Sequence, residues 1–166
     1  MSRLLYHGFT LVEMLVVIVI IGIILSFAML GIGYSKTPLE QETQRLASLI
    51  KLARFEALLQ TQVIGLFFDP ESYHFYQFQE QHWQRLEEND VFRSRFLQEG
   101  IHLSLRVENM TVPLEKCKTD LCSPQVWFLP DGEFTPFEII FYTDQSSYRL
   151  LGRGIGEMTI EHDETP

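Results

Sequence analysis

Hydrophobic and polar positions divide the chain into three stretches with different periods. Met14 to Gly33 is an uncharged run of twenty residues whose only hydroxyl is Ser26. At about 1.5 Å per residue it spans roughly 30 Å as a helix, the thickness of a bilayer's hydrocarbon core. Beyond Gly31 and Gly33 the pattern turns amphipathic. Leu46, Leu49, Ile50, Ala53 and Ala57 recur at helical spacing on one face, Leu52, Phe55 and Leu59 are read as widening it, and Glu42, Arg45, Lys51 and Glu56 supply polar positions. Pro38 suits a first helical turn but would kink a continuous helix, so the pattern predicts helix to about Gln60 with a bend or break between Gly31 and Pro38.

From Gln62 the period becomes that of strands. Val63–Phe68 is a compact apolar run ending at the turn signal Asp69-Pro70. Tyr73 to Gln79 alternates with aromatics on both faces, and Gln81, Trp83 and Arg85 return as its hairpin partner. Ile101, Leu103, Leu105 and Val107 alternate with polar residues. Further strands are predicted at Val126–Leu129, Phe137–Tyr142, Ser147–Leu151 and Glu157–Glu161, with Pro130-Asp131-Gly132 as a turn. One long helix followed by seven or so strands must bury its apolar face on a sheet, which predicts an α+β fold.

Glu13 changes the picture, because it places a carboxylate at the head of the apolar run. A charge costs roughly 2.5–3.5 kcal/mol at the bilayer centre and less near its edge, so it asks for a reason. At a helix N-terminus Glu13 gains from the helix dipole. If the chain began at Phe9, the free amine there would be positive. In a filament of stacked helices, Glu13 of one subunit could then pair with the Phe9 amine of the next, offsetting desolvation and favouring correct stagger.

Gly8-Phe9-Thr10-Leu11-Val12-Glu13 with an unbroken apolar helix behind it resembles the type IV pilin and pseudopilin family. The resemblance implies cleavage by a prepilin peptidase between Gly8 and Phe9, N-methylation of Phe9, and Glu13 as the fifth mature residue, serving assembly. It divides the chain into a leader (1–8), a transmembrane helix (9–33), an amphipathic continuation (34–60) and a β-rich head (61–166). The implied fold is a lollipop: a long transmembrane and stalk helix packed on an antiparallel sheet. The implied setting is the inner membrane of a Gram-negative bacterium, crossed once, with the head in the periplasm. An ordinary signal peptide cut after Ala28 fits less well, since only Arg3 and His7 precede the run and Glu13 heads it.

Net charge is −9 over 166 residues, and losing Arg3 with the leader leaves 12 basic against 22 acidic residues. Such a surface repels phosphate backbones in general. Cys117 and Cys122 are the only cysteines. In an oxidising compartment they are expected to bridge across a small loop, and in a reducing one to stay free thiols. The periplasmic setting implied by the N-terminal motif favours the bridge.

No nucleophile elbow or phosphate loop is present. His74, His82 and His102 are scattered on predicted strands and read as core or surface residues. The run Glu87-Glu88-Asn89-Asp90 reads as a solvated loop rather than a calcium site. The sequence therefore points to no catalytic residue, no metal and no cofactor, and to a protein that is not an enzyme.

In the head, Trp83-Gln84-Arg85-Leu86, the Arg93–Ile101 segment and the Phe128–Phe137 segment with its Pro130-Asp131-Gly132 and Thr135-Pro136-Phe137 resemble the subgroup shared by minor pseudopilin H of type II secretion and the minor pilin FimT. The first implies a structural subunit of a short periplasmic filament that drives export of folded proteins, with other pseudopilins, the prepilin peptidase and the inner membrane as partners. The second implies a role in pilus priming or DNA uptake. FimT-type pilins that take up DNA carry Gly-Arg-x-Arg near the C-terminus. Here Gly152-Arg153-Gly154-Ile155 lacks the second arginine, and Glu157, Glu161, Asp163 and Glu164 follow. That weighs against nucleic acid.

Overall fold

A computed structural model describes residues 10–30, 36–87, 90–116 and 122–164. It contains two compact units, Met1–Ser35 and Lys36–Pro166.

In the first unit, helix α1 spans Leu11–Leu30. Thr10 starts it: the Thr10 hydroxyl oxygen accepts from the Glu13 backbone N–H at 3.3 Å, relieving one of the orphan donors of a helix N-terminus. Glu13 is the acidic residue of the first turn. Ser26 donates its hydroxyl to the Gly22 carbonyl at 2.8 Å, so the one hydroxyl of the run is satisfied within the helix.

The second unit opens with helix α2, Pro38–Gln60. Thr37 is its N-cap, accepting from Glu40 N–H at 3.2 Å, and Pro38 takes the first turn, where a missing N–H costs nothing. The helix stops at Thr61, which adopts a left-handed conformation (φ 53°) and returns its N–H to the Ala57 carbonyl. The bend or break expected between Gly31 and Pro38 falls largely on residues 31–35, outside the described residues.

Ten strands follow among the described residues: β1 Ile64–Phe68, β2 Ser72–Gln79, β3 His82–Arg85, β4 Arg95–Phe96, β5 His102–Val107, β6 Met110–Val112, β7 Val126–Phe128, β8 Phe137–Tyr142, β9 Ser146–Gly152 and β10 Thr159–Glu164. A helix packed on antiparallel strands is what the sequence predicts, but the strands form two sheets rather than one. The first runs β3-β2-β1-β7 with β4 also on β2, and the second runs β10-β9-β8-β5-β6. Helix α2 packs against β1 and β7 of the first sheet and β8 and β9 of the second, so one helix face serves both.

The core is a single cluster in which Leu46, Ile50 and Ala53 of α2 meet Leu66 and Phe68 of β1, Phe75 of β2, and Ile139 and Phe141 of β8. Two-residue turns with positive φ at both positions, Glu80-Gln81 and Glu108-Asn109, close the β2–β3 and β5–β6 hairpins. At Gly65 an added Cβ would lie 2.4 Å from Pro124 and 2.8 Å from the Trp83 ring. Only glycine therefore lets the chain after the cysteine segment lie against β1.

Two sequence expectations for α2 are corrected. Leu46, Leu49, Ile50, Ala53 and Ala57 are buried as expected, but Phe55 and Leu59 do not widen that face; they are exposed, 55 % and 62 %. Phe55 lies nine residues beyond Leu46, and at about 3.6 residues per turn that is half a turn away, on the opposite side. Glu42, read as a polar surface position, is 1 % exposed, because the buried stripe continues upstream through it.

Candidate assembly surfaces

The residues singled out at the N-terminus fall partly outside the described residues: Gly8 and Phe9 lie there. Glu13 is described. It stands exposed in the first turn of α1, its backbone N–H engaged by Thr10. Around and beyond it Leu11, Val12 and the side chains from Met14 to Leu25 present exposed apolar surface on every side of the helix. A helix apolar all round needs an apolar environment or apolar neighbours. Among the described residues no helix is long and apolar enough to cross a membrane. The side chains of α1 are described only as far as Ser26, whereas the apolar run continues in the sequence to Gly33.

The outward side of α2 is also apolar: Phe55, Leu58 and Leu59 are all more than half exposed. Lys51 and Glu56 stand beside them. Sequence pattern alone could have found this surface, since Phe55 and Leu59 are four residues apart and both lie off the buried stripe.

Polar clusters in the head explain structure rather than chemistry. Asp69, Ser72 and His74 come together on the face of the first sheet turned away from α2. Ser72 donates its hydroxyl to Asp69 Oδ2 at 2.6 Å, while His74 Nε2 lies 2.7 Å from Ser72 Oγ and 3.3 Å from the same Asp69 oxygen. The Arg85 guanidinium faces His74 Nδ1, which must therefore accept, so the proton sits on Nε2.

A catalytic triad needs the serine on one ring nitrogen and the carboxylate on the other. Here both share Nε2, an arginine occupies Nδ1, and Ser72 is only 2 % exposed. The group is a structural cluster. Burial and then the Arg85 charge hold His74 below the ordinary histidine range. For Asp69, burial alone would raise the carboxyl, but hydrogen bonds from the Ser72 hydroxyl, the Glu71 backbone and His74 outweigh it and hold the carboxyl below its usual range.

Glu42 forms a second cluster. Tyr73 donates its hydroxyl to Glu42 Oε1 at 2.8 Å, and Arg45 Nη1 reaches Oε2 at 2.8 Å. Burial first, then the Glu42 charge, push the Tyr73 hydroxyl far above its usual range. Both carboxylate oxygens are thus used, and the pair ties α2 to β2. Sequence reasoning missed it. The available signal was a tyrosine at the start of a strand and a carboxylate in register with a buried stripe.

The remaining expected features are distributed. Cys122 is disulfide-bonded, while its expected partner Cys117 lies outside the described residues. Of the acidic run, Glu88 and Asn89 lie outside them too, and Glu87 pairs with Arg85 at 3.1 Å. His82 and His102 are exposed. Among the described residues no three His, Cys, Asp or Glu side chains stand close enough together to hold a metal. Arg153 is exposed at the end of β9. The tail carboxylates Glu161 and Asp163 approach Arg149 at 3.5 and 3.4 Å instead.

Comparison with known proteins bears on this arrangement. Residues 42–156 match the family described as type II transport protein GspH, and residues 4–29 match the prokaryotic N-terminal methylation motif. The chain is 32% identical over 144 residues to the type II secretion system protein H of Pseudomonas aeruginosa, covering 80% of this chain and 81% of that protein. It is 24% identical over 162 residues to the protein of the same name from Aeromonas hydrophila, covering 91% and 88%. Among solved structures, the minor pseudopilin EpsH of the type II secretion system of Vibrio cholerae superposes with a TM-score of 0.64 at 21% identity, covering 78% of this chain and 97% of that one. The solution structure of Escherichia coli GspH gives 0.55 at 20% identity, covering 71% and 83%. At these identities the two structures speak for the fold.

Proposed function

Since the chain belongs to the family of type II transport protein GspH, we propose that it works as a minor pseudopilin of the type II secretion system. The observation that carries this is the order of two matches on one chain: the methylation motif over the apolar helix, then the GspH family over the head. The role is structural. The subunit assembles with other pseudopilins into a short periplasmic filament whose movement drives folded proteins outward. This reading takes precedence over the FimT-like alternative, because the relatives found are named for secretion.

The route to assembly follows from the residues. Prepilin peptidase cuts between Gly8 and Phe9 and Phe9 is N-methylated. The apolar helix holds the subunit in the inner membrane, with the head in the periplasm, where Cys117 and Cys122 bridge. On joining the filament, Glu13 meets the Phe9 amine of a neighbour. An exposed carboxylate on an otherwise apolar helix supports that role, since leaving it unpaired among apolar neighbours costs several kcal/mol. The exposed apolar sides of α1 and α2 supply the surfaces that neighbouring helices cover.

Mass spectrometry of the protein extracted from membranes tests the processing step. The expected mature chain begins with methylated Phe9. A chain beginning at Met29 would mean an ordinary signal peptide and would overturn the proposal.

A further inference from the structure

A cleft of about 280 Å³ opens beside the start of β8 and the end of β9, lined by Arg106, Asn109, Pro136, Glu138, Leu151 and Arg153 among others. We propose that it is a docking site for a single carboxylate side chain presented by a partner protein, with Arg153 as the principal contact.

Arg153 makes no ion pair or side-chain hydrogen bond among the described residues. Its backbone is nevertheless fixed on both sides. Gly152 ends β9 opposite Phe137, and the Gly154 carbonyl accepts from Phe134 N–H at 2.9 Å. Gly154 has φ +91°, which holds the turn close against Pro136. The guanidinium is therefore presented from a rigid base, which lowers the ordering cost of binding.

Arg106 differs, because Glu138 Oε2 takes its Nη1 at 2.8 Å and the Asn109 carbonyl its Nη2 at 3.2 Å. Glu138 is itself shared with Arg149 at 3.0 Å. The Arg106 charge is thus compensated within the wall, and Arg153 is left as the cleft's uncompensated cation.

One uncompensated guanidinium matches one negative charge. A planar carboxylate can take two parallel N–H donors from it. Pro136 and Leu151 offer apolar wall to the methylenes of a glutamate. The volume lies near the lower end of the range for small-ligand sites, roughly 300–1,000 Å³, and suits a side chain rather than a cofactor. A phosphodiester chain fits less well: it would bring many charges against a protein of net charge −9 and against Glu138 in the wall.

The test uses the full chain in detergent micelles, labelled at arginine and followed by NMR. The probes are N-acetylglutamate amide, its neutral isostere N-acetylglutamine amide, and inorganic phosphate. The expected result is a saturable shift of the Arg153 Nε–H signal with the glutamate probe and none with the glutamine probe. Followed at the Arg106 Nε–H signal in the cleft wall, which both variants keep, binding should weaken about tenfold or more in Arg153→Ala, with an otherwise unchanged spectrum, and less in Arg153→Lys, which keeps the charge but loses the fork. Equal response to both amides, unchanged affinity in Arg153→Ala, or tighter binding of phosphate than of the carboxylate would each overturn the proposal. The outcome depends on the cleft alone and is separable from the secretion role.

Discussion

At the scale of single residues, the head is organised by two buried polar groups. Glu42 has one oxygen on Tyr73 and the other on Arg45, and Tyr73 is fully buried. Tyr73→Phe removes the hydroxyl that donates to Oε1 and leaves that buried carboxylate oxygen without it. The expected loss is about 1–3 kcal/mol of stability, read from denaturant or thermal unfolding of the variant beside the parent. A loss near zero would mean that water or Arg45 takes over the bond.

His74 sets a pH dependence. Its folded-state pKa lies below the ordinary 6.5, so between those two values the unfolded chain binds more protons than the folded one. Stability therefore rises with pH there: the contribution is fully present above about 6.5 and is lost as pH falls through the folded value. Asp69 acts in the same direction at lower pH, below about 3.8, because its pKa is also depressed. The groups facing His74 are Asp69, Arg85 and Glu87. His74→Gln is expected to flatten the stability profile below about pH 6.5 while leaving the acid limb near Asp69. Parallel profiles for parent and variant would contradict this.

At the scale of elements, the two helices are both apolar on their free sides, for different reasons. Every side of α1 is apolar, whereas α2 has one stripe in the core and a second outside it. Phe55→Glu changes only the outer side. It is expected to leave unfolding within about 0.5 kcal/mol of the parent, as for ordinary surface substitutions, while lowering crosslinking to other pseudopilins. Loss of stability instead of crosslinking would place Phe55 in the core.

Most strands were readable because alternation or a short apolar run marks them. Ile64–Phe68 is buried at every position, as a continuous apolar run implies, and Leu103 and Leu105 are buried between more exposed neighbours. The strands β4 and β6 were not readable. With two and three residues they are too short to show a period. The division of the strands into two sheets was not legible, because alternation fixes which face of a strand is apolar but not which strand lies beside it. Pairing β1 with β7, and β5 with β8, joins segments far apart in the chain. Glu42 was misread because residue type outweighed position on the helix.

At the scale of the whole molecule, the N-terminal motif and the head match two different families, over residues 4–29 and 42–156. The N-terminal methylation motif over residues 4–29 was legible because Gly8-Phe9-Thr10-Leu11-Val12-Glu13 stands directly before an uncharged apolar run. The cleft at Arg153 was not, since Arg106, Glu138 and Arg153 come from three separate segments that only the second sheet brings together. The two parts differ in chemistry as well, an apolar helix before a chain whose net charge is −9.

The most direct measurement is secretion itself. In cells lacking the gene, folded exoproteins in the medium are compared after complementation with the parent chain or with Glu13→Ala. The account predicts that deletion strongly reduces export, that the parent chain restores it, and that Glu13→Ala is processed and stable yet restores little. Normal export in the deletion strain, with pilus formation or DNA uptake lost instead, would contradict it.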